Sequence, residues 1–168
     1  MPTILVAYST VSGSTKEIAE AVAKTLRESG LEVDIQPSKE VRSFAGYGAV
    51  VLGAPLYMFR WHKPAIRFLS RHREALKKLP VAVFASGPTN QVEKEFEDAR
   101  GHLAKALAKF PWLTPVASEV FGGKFDPMSL RFPYNLIPAM KQMPVSDIRD
   151  WDKIRAWASA LPAKFGSV

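Results

Sequence analysis

The chain contains no cysteine. Disulfides, thiolate metal sites and cysteine nucleophiles are therefore excluded, and cysteine usage gives no reading of redox compartment. Histidine is scarce. His62, His72 and His102 lie too far apart to suggest a metal site, and no acidic neighbour pairs with them in sequence. Each reads as a packing or solvated residue, and no Ser-His-Asp arrangement can be argued. Asp147, Asp150 and Asp152 crowd together, but Asp150 directly precedes a helix pattern, where a carboxylate caps. No metal is expected. No apolar run is long enough to cross a bilayer. Strand pattern begins at Ile4, leaving no room for a signal peptide, so the expected location is the cytoplasm. Two phosphate-binding signatures are also missing. Without G-x-x-x-x-G-K-[ST] a P-loop hydrolase is not expected, and without G-x-G-x-x-G the dinucleotide fingerprint is absent.

What is present is a hydroxyl-rich turn between a strand and a helix. Ile4-Leu5-Val6-Ala7 reads as a buried strand. It ends in Tyr8-Ser9-Thr10-Val11-Ser12-Gly13-Ser14-Thr15, and Ile18, Ala19, Val22, Ala23 and Leu26 then recur at helical spacing. The free N–H groups of a first helical turn and the helix dipole favour an anion there. One hydroxyl would suffice as a helix cap; four around one glycine exceed that need. No Lys or Arg precedes Lys16 in this stretch, so a phosphate would be held by dipoles without a full countercharge.

The 168 residues, 47% hydrophobic, suffice for a single domain, 1–168, with a substantial core. A helix is expected from about Ser14 to Ser29, stopped by Gly30. A strand spans Leu31–Gln36 and another Ala49–Gly53. Ala54–His62 reads as a loop, and a helix beginning near Pro64 runs to about Lys78. A strand over Pro80–Ala85, a helix over Val92–Phe110 and a strand over Leu113–Phe121 follow. Residues 122–149 look irregular with one short helical piece. A closing helix, Trp151–Phe165, should be disturbed at Pro162. This alternation implies an α/β fold with a doubly wound parallel sheet of five strands. Ligands of such sheets sit beyond the carboxyl ends of the strands. The loops after the first, third and fourth strands are the candidates, consistent with strand order 2-1-3-4-5.

The order apolar, Tyr8, Ser9, Thr10, two residues, Gly13, Ser14, Thr15, three residues, Ala19, two residues, Val22 resembles the flavodoxin signature, with Ala7 where a larger apolar residue is usual. The resemblance implies a flavodoxin-like fold and the cofactor FMN. Thr10, Ser12 and Thr15 would donate hydroxyl bonds to its phosphate, with backbone N–H groups from Val11 through Gly13 and Ser14 to Thr15. Pro55, Leu56, Tyr57, Met58, Phe59 and Trp61 would pack on the ring, with Tyr57, Phe59 or Trp61 stacking. Ser86, Gly87, Pro88 and Thr89 would read its pyrimidine edge. Flavodoxins usually place an aromatic in this second loop. None stands between Ala85 and Glu95, which implies one ring face open to a substrate.

Charge is concentrated. Between Arg60 and Lys78 lie seven basic residues and one acidic, against +7 for the whole chain. On a helix, Arg60, Lys63, Arg67 and Arg71 form one stripe. Carrier flavodoxins usually surround the flavin edge with acid, so this reversal points to an anionic small molecule, an acidic redox partner or peripheral contact with an anionic membrane face. No DNA- or RNA-reading motif accompanies the charge, so nucleic acid is not expected. Gly122–Pro144 forms an apolar insert after the last strand, with Phe125, Met128, Leu130, Phe132, Tyr134, Leu136, Ile137, Met140 and Met143 among Lys124, Arg131 and Lys141. It reads as a flap, a dimer contact or a lid. These features resemble the flavodoxin-like branch that includes the quinone-dependent protoporphyrinogen dehydrogenases. That resemblance implies an FMN oxidoreductase acting on a porphyrinogen-like anionic substrate, held by Arg60, Lys63 and Arg67, with a quinone acceptor. No residue stands out as catalytic acid or base. The rival readings are an electron carrier without its own substrate and a binding module that has lost FMN.

Overall fold

The computed structural model describes residues 2–130 and 132–166. Strand β1 (Thr3–Tyr8) buries Ile4 through Ala7 completely, as a strand covered on both faces must. Helix α1 (Ser14–Glu28) starts after Gly13, whose φ of 95° lies in the left-handed region. It turns Ile18, Val22 and Leu26 inward, each fully buried, at about 1.5–3 kcal/mol per side chain. Strand β2 (Val33–Pro37) returns beside β1, and β3 (Tyr47–Tyr57) joins its other side. Then come β4 (Arg60–Trp61), α2 (Lys63–Arg71), α3 (Arg73–Leu76), β5 (Val81–Ser86), α4 (Glu93–Leu107) and β6 (Ala117–Phe121). The chain closes with β7 (Lys124–Phe125), α5 (Pro138–Lys141), β8 (Ser146–Asp147) and α6 (Trp151–Phe165).

The main sheet runs β2-β1-β3-β5-β6, all parallel, with β4 paired antiparallel to the end of β3. Leaving out the short β4, this is the expected order 2-1-3-4-5. Helices α1 and α6 cover one face of the sheet, and α2, α3 and α4 cover the other.

Four local expectations need correction. The segment after β3 is a β-hairpin rather than a loop. Tyr57 pairs with Arg60, and Met58 (φ 50°) and Phe59 (φ 66°) form the turn. Two left-handed residues match the twist of a tight hairpin, though asparagine and glycine are the usual occupants. The basic helix breaks at His72, where φ is −109° and the ring meets Phe44 and Phe68 at 5.0 Å each. The last parallel strand begins at Ala117, because Leu113 closes a turn onto the Phe110 carbonyl. Helix α6 passes Pro162 unbroken. Proline there sits in the final turn and removes one bond, to the carbonyl of Ala158.

The insert leaves through β7 and returns through β8 as an antiparallel pair. Between them Met128, Phe132, Leu136 and Val145 are exposed, and no described residue of 126–145 belongs to either core cluster. Arg131 lies outside the described residues.

Candidate functional site

The first turn of α1 is an uncommitted set of donors. Gly13 N–H bonds the Thr10 hydroxyl oxygen at 2.9 Å, which leaves the Thr10 proton free to point elsewhere. Among the described residues, no acceptor takes the backbone N–H of Val11, Ser12, Ser14, Thr15 or Lys16. Space around the Gly13 α-carbon is open. An anion is the natural partner for such a cradle.

Above this cradle lies a cleft. Its floor is Val11, Ser12, Ser14 and Thr15; one wall is Pro55, Leu56, Tyr57 and Met58 of the hairpin; the other begins with Ser86, Gly87 and Thr89. The ends of β1, β3 and β5 deliver these three groups because the strands are neighbours in register. Tyr8 lies beside Gly53, and Pro55 beside Ser86. A hydroxyl pair, Thr15 Oγ1 to Ser86 Oγ at 2.8 Å, ties the first loop to the third. Thr15 is therefore buried, with its hydroxyl already engaged in the chain.

Other predicted residues stand apart. Phe59 is at the hairpin tip, 78% exposed, with its ring 5.6 Å from His102. Trp61 is buried beneath the hairpin, and its indole donates to the Ala54 carbonyl at 3.1 Å. Pro88 contributes its carbonyl to Gly123 N–H at 2.7 Å and does not line the cleft. Thr10, Arg60 and Lys63 border a second cavity behind the hairpin, with His62 and Phe132, while Arg67 is exposed beyond it.

The structure adds residues the sequence did not suggest. Gly123, Lys124, Phe125 and Met140 of the insert complete the second wall of the cleft. An aromatic thus stands at the wall that lacked one, brought from the insert. The insert is fastened there by Gly87 N–H to the Phe121 carbonyl (3.2 Å), by Ile148 N–H to the Gly123 carbonyl (3.1 Å) and by the Ser146 hydroxyl to the Thr89 carbonyl. A Cβ on Gly123 would stand 3.3 Å from the Gly87 nitrogen, so these two backbones touch.

Arg149 is the second addition. Its side chain is 4% exposed, pairs with both Asp147 oxygens (2.9 and 2.8 Å), approaches Glu17 at 3.5 Å and donates to the Ser14 carbonyl at 3.3 Å. Hydrogen bonds from Arg149 hold the Asp147 carboxyl below its usual pKa. A cation therefore does reach the cradle, already matched by two carboxylates. Asp150 caps α6, accepting from Lys153 N–H at 3.0 Å, and no group of three metal-ligating side chains occurs among the described residues.

The third addition is His62. Its Nδ1 lies 2.9 Å from Ser9 Oγ, and burial lowers its pKa. Its backbone N–H bonds the Pro55 carbonyl, fixing it at the hairpin base.

Residues 5–140 match the flavodoxin domain family. The chain is 26% identical over 132 residues to a protoporphyrinogen IX dehydrogenase (quinone) of Escherichia coli strain K12, covering 77% of this chain and 70% of that one. It is 26% identical over 175 residues to a protein of the same name from Leishmania major, covering 96% and 75%. Among solved structures, oxidised flavodoxin 2 from Bacillus cereus superposes with a TM-score of 0.60 at 21% identity, over 97% of this chain and 99% of that one.

Proposed function

This chain belongs to the flavodoxin domain family, whose cofactor is FMN, and from that premise we propose an FMN-dependent oxidoreductase that dehydrogenates a porphyrinogen-like anionic substrate and delivers the electrons to a quinone. The cleft fits the cofactor. The orphan N–H groups of residues 11, 12 and 14–16 suit a phosphate dianion, and a slot between Leu56–Met58 and Gly87–Phe125 suits a flat ring. When bound there, FMN supplies the two-electron chemistry; the protein binds, orients and excludes water. Ser12 and Thr10 offer hydroxyl donors to the phosphate. Thr15, engaged with Ser86, acts through its backbone N–H and by holding two loops together.

One observation supports a substrate over a simple carrier role. Arg60 and Lys63 border the second cavity, which adjoins the cleft through Val11, Tyr57 and Met58, and Arg67 is exposed beyond it; none has a carboxylate within ion-pair distance among the described residues. Cations left unmatched beside a cofactor site suit an anionic ligand. The exposed apolar insert beside them suits a broad apolar body, or contact with the membrane that holds a quinone.

The test has two stages. FMN titration of the purified protein, read by flavin absorption and fluorescence, should show binding. The Thr10→Ala/Ser12→Ala variant should weaken it roughly thirtyfold to 150-fold, at about 1–1.5 kcal/mol per lost bond. The loaded protein should then oxidise protoporphyrinogen with a quinone. Uptake of FMN without such turnover would make the chain an electron carrier.

A further inference from the structure

We propose that the cavity behind the hairpin is an anion subsite, adjoining the cofactor cleft, which takes a carboxylate carried on an apolar body. Thr10, Arg60, His62 and Lys63 supply its polar rim, and Tyr57 and Phe132 its apolar surface. The subsite deepens the oxidoreductase reading and rests on it only in calling the ligand a substrate.

The chemistry is asymmetric. Among the described residues, two cations face this cavity without an ion-pair partner, whereas Arg155 and Lys153 each have one and Arg149 has two. Among the described residues no carboxylate lines it. Its base is built rather than accidental. Ser9 is buried at the end of β1, its N–H bonded to the Gly53 carbonyl at 3.0 Å, and its hydroxyl meets His62 Nδ1. With Nδ1 engaged, Nε2 is the imidazole nitrogen without a partner among the described residues. Ser9, just past β1, bonds the ring, and among the described residues the Tyr57 phenol of β3, Arg60 of β4 and Lys63 of α2 share the cavity with it.

Burial keeps His62 neutral to lower pH than an ordinary histidine. An arriving carboxylate reverses that preference, since an anion nearby favours the imidazolium. Binding and protonation are then linked. The anion raises the His62 midpoint, and by reciprocity its affinity climbs as pH falls through the midpoint of the complex. A neutral ligand of the same shape does neither.

The probes are pyrenebutyrate and its uncharged amide, with inorganic phosphate as a free anion. The His62 midpoint is followed by NMR of Cε1-labelled histidine in FMN-loaded protein, and probe affinity by pyrene fluorescence. Pyrenebutyrate should raise the midpoint by about one unit and bind about tenfold tighter below it than above. Arg60→Gln/Lys63→Gln should weaken it about tenfold or more, and His62→Gln should flatten its pH dependence. An unmoved midpoint, equal binding of the amide, or an equal shift from phosphate alone overturns the proposal. FMN titration of the same sample reports the cofactor reading separately, so the two can fail independently.

Discussion

At the scale of single residues, Gly53 shows how tightly the sheet and the site share space. A Cβ there would lie 2.0 Å from Phe84 Cζ, inside a ring that is fully buried. Gly53→Ala must displace that ring, at about 1–3 kcal/mol. The thermal midpoint should drop by roughly 3–10 °C, and Phe84→Leu should recover part of the loss in the double variant. Equal midpoints for Gly53→Ala and the parent would show that the ring has room to move. Met58 and Phe59 carry the opposite burden. Their left-handed backbone costs about 1–2 kcal/mol each relative to glycine. That strain sits in the hairpin whose Met58 lines the cleft. The His62–Ser9 bond joins residues 53 apart and was invisible in a sequence that offered His62 no acidic neighbour.

At the scale of elements, the insert behaves as an addition to a finished domain. It leaves and returns through one antiparallel pair, Lys124 with Asp147 and Phe125 with Ser146. Replacing Asp126–Val145 with Asn-Gly closes that pair as a two-residue hairpin. The shortened chain should keep its thermal midpoint or gain slightly, because a shorter loop loses less closure entropy. FMN affinity should fall, since Met140 leaves the cleft wall. A midpoint lower by more than about 10 °C would make the insert part of the core instead. The apolar composition of this segment was legible in sequence. Its docking on Gly87–Thr89 was not, because Gly123 touches Gly87 only once β5 and β6 lie side by side.

At the scale of the whole molecule, net charge +7 and the cationic stretch of residues 60–78 set how the protein meets other surfaces. Its adsorption to anionic lipid vesicles should exceed that to neutral ones and vanish near 1 M salt, where the Debye length is about 3 Å. Cosedimentation across a salt series measures this. Adsorption that survives 1 M salt would assign the contact to Met128, Phe132, Leu136 and Val145 of the insert rather than to charge.

The sequence by itself determined the alternation of strands and helices, the strand order by resemblance, and the donor-rich head of α1. The first and the last depend on neighbours within a few residues: periodicity makes the elements, and a strand that ends at Tyr8 and turns through Gly13 into a helix leaves N–H groups unpaired whatever surrounds them. Only the tertiary structure decided which distant groups complete the site. Arg149 reaches the Ser14 carbonyl across 135 residues, and Phe125 faces the hairpin across a cleft three strands wide. Sheet order and register bring such partners together, and no spacing along the chain encodes a meeting that the packed sheet creates.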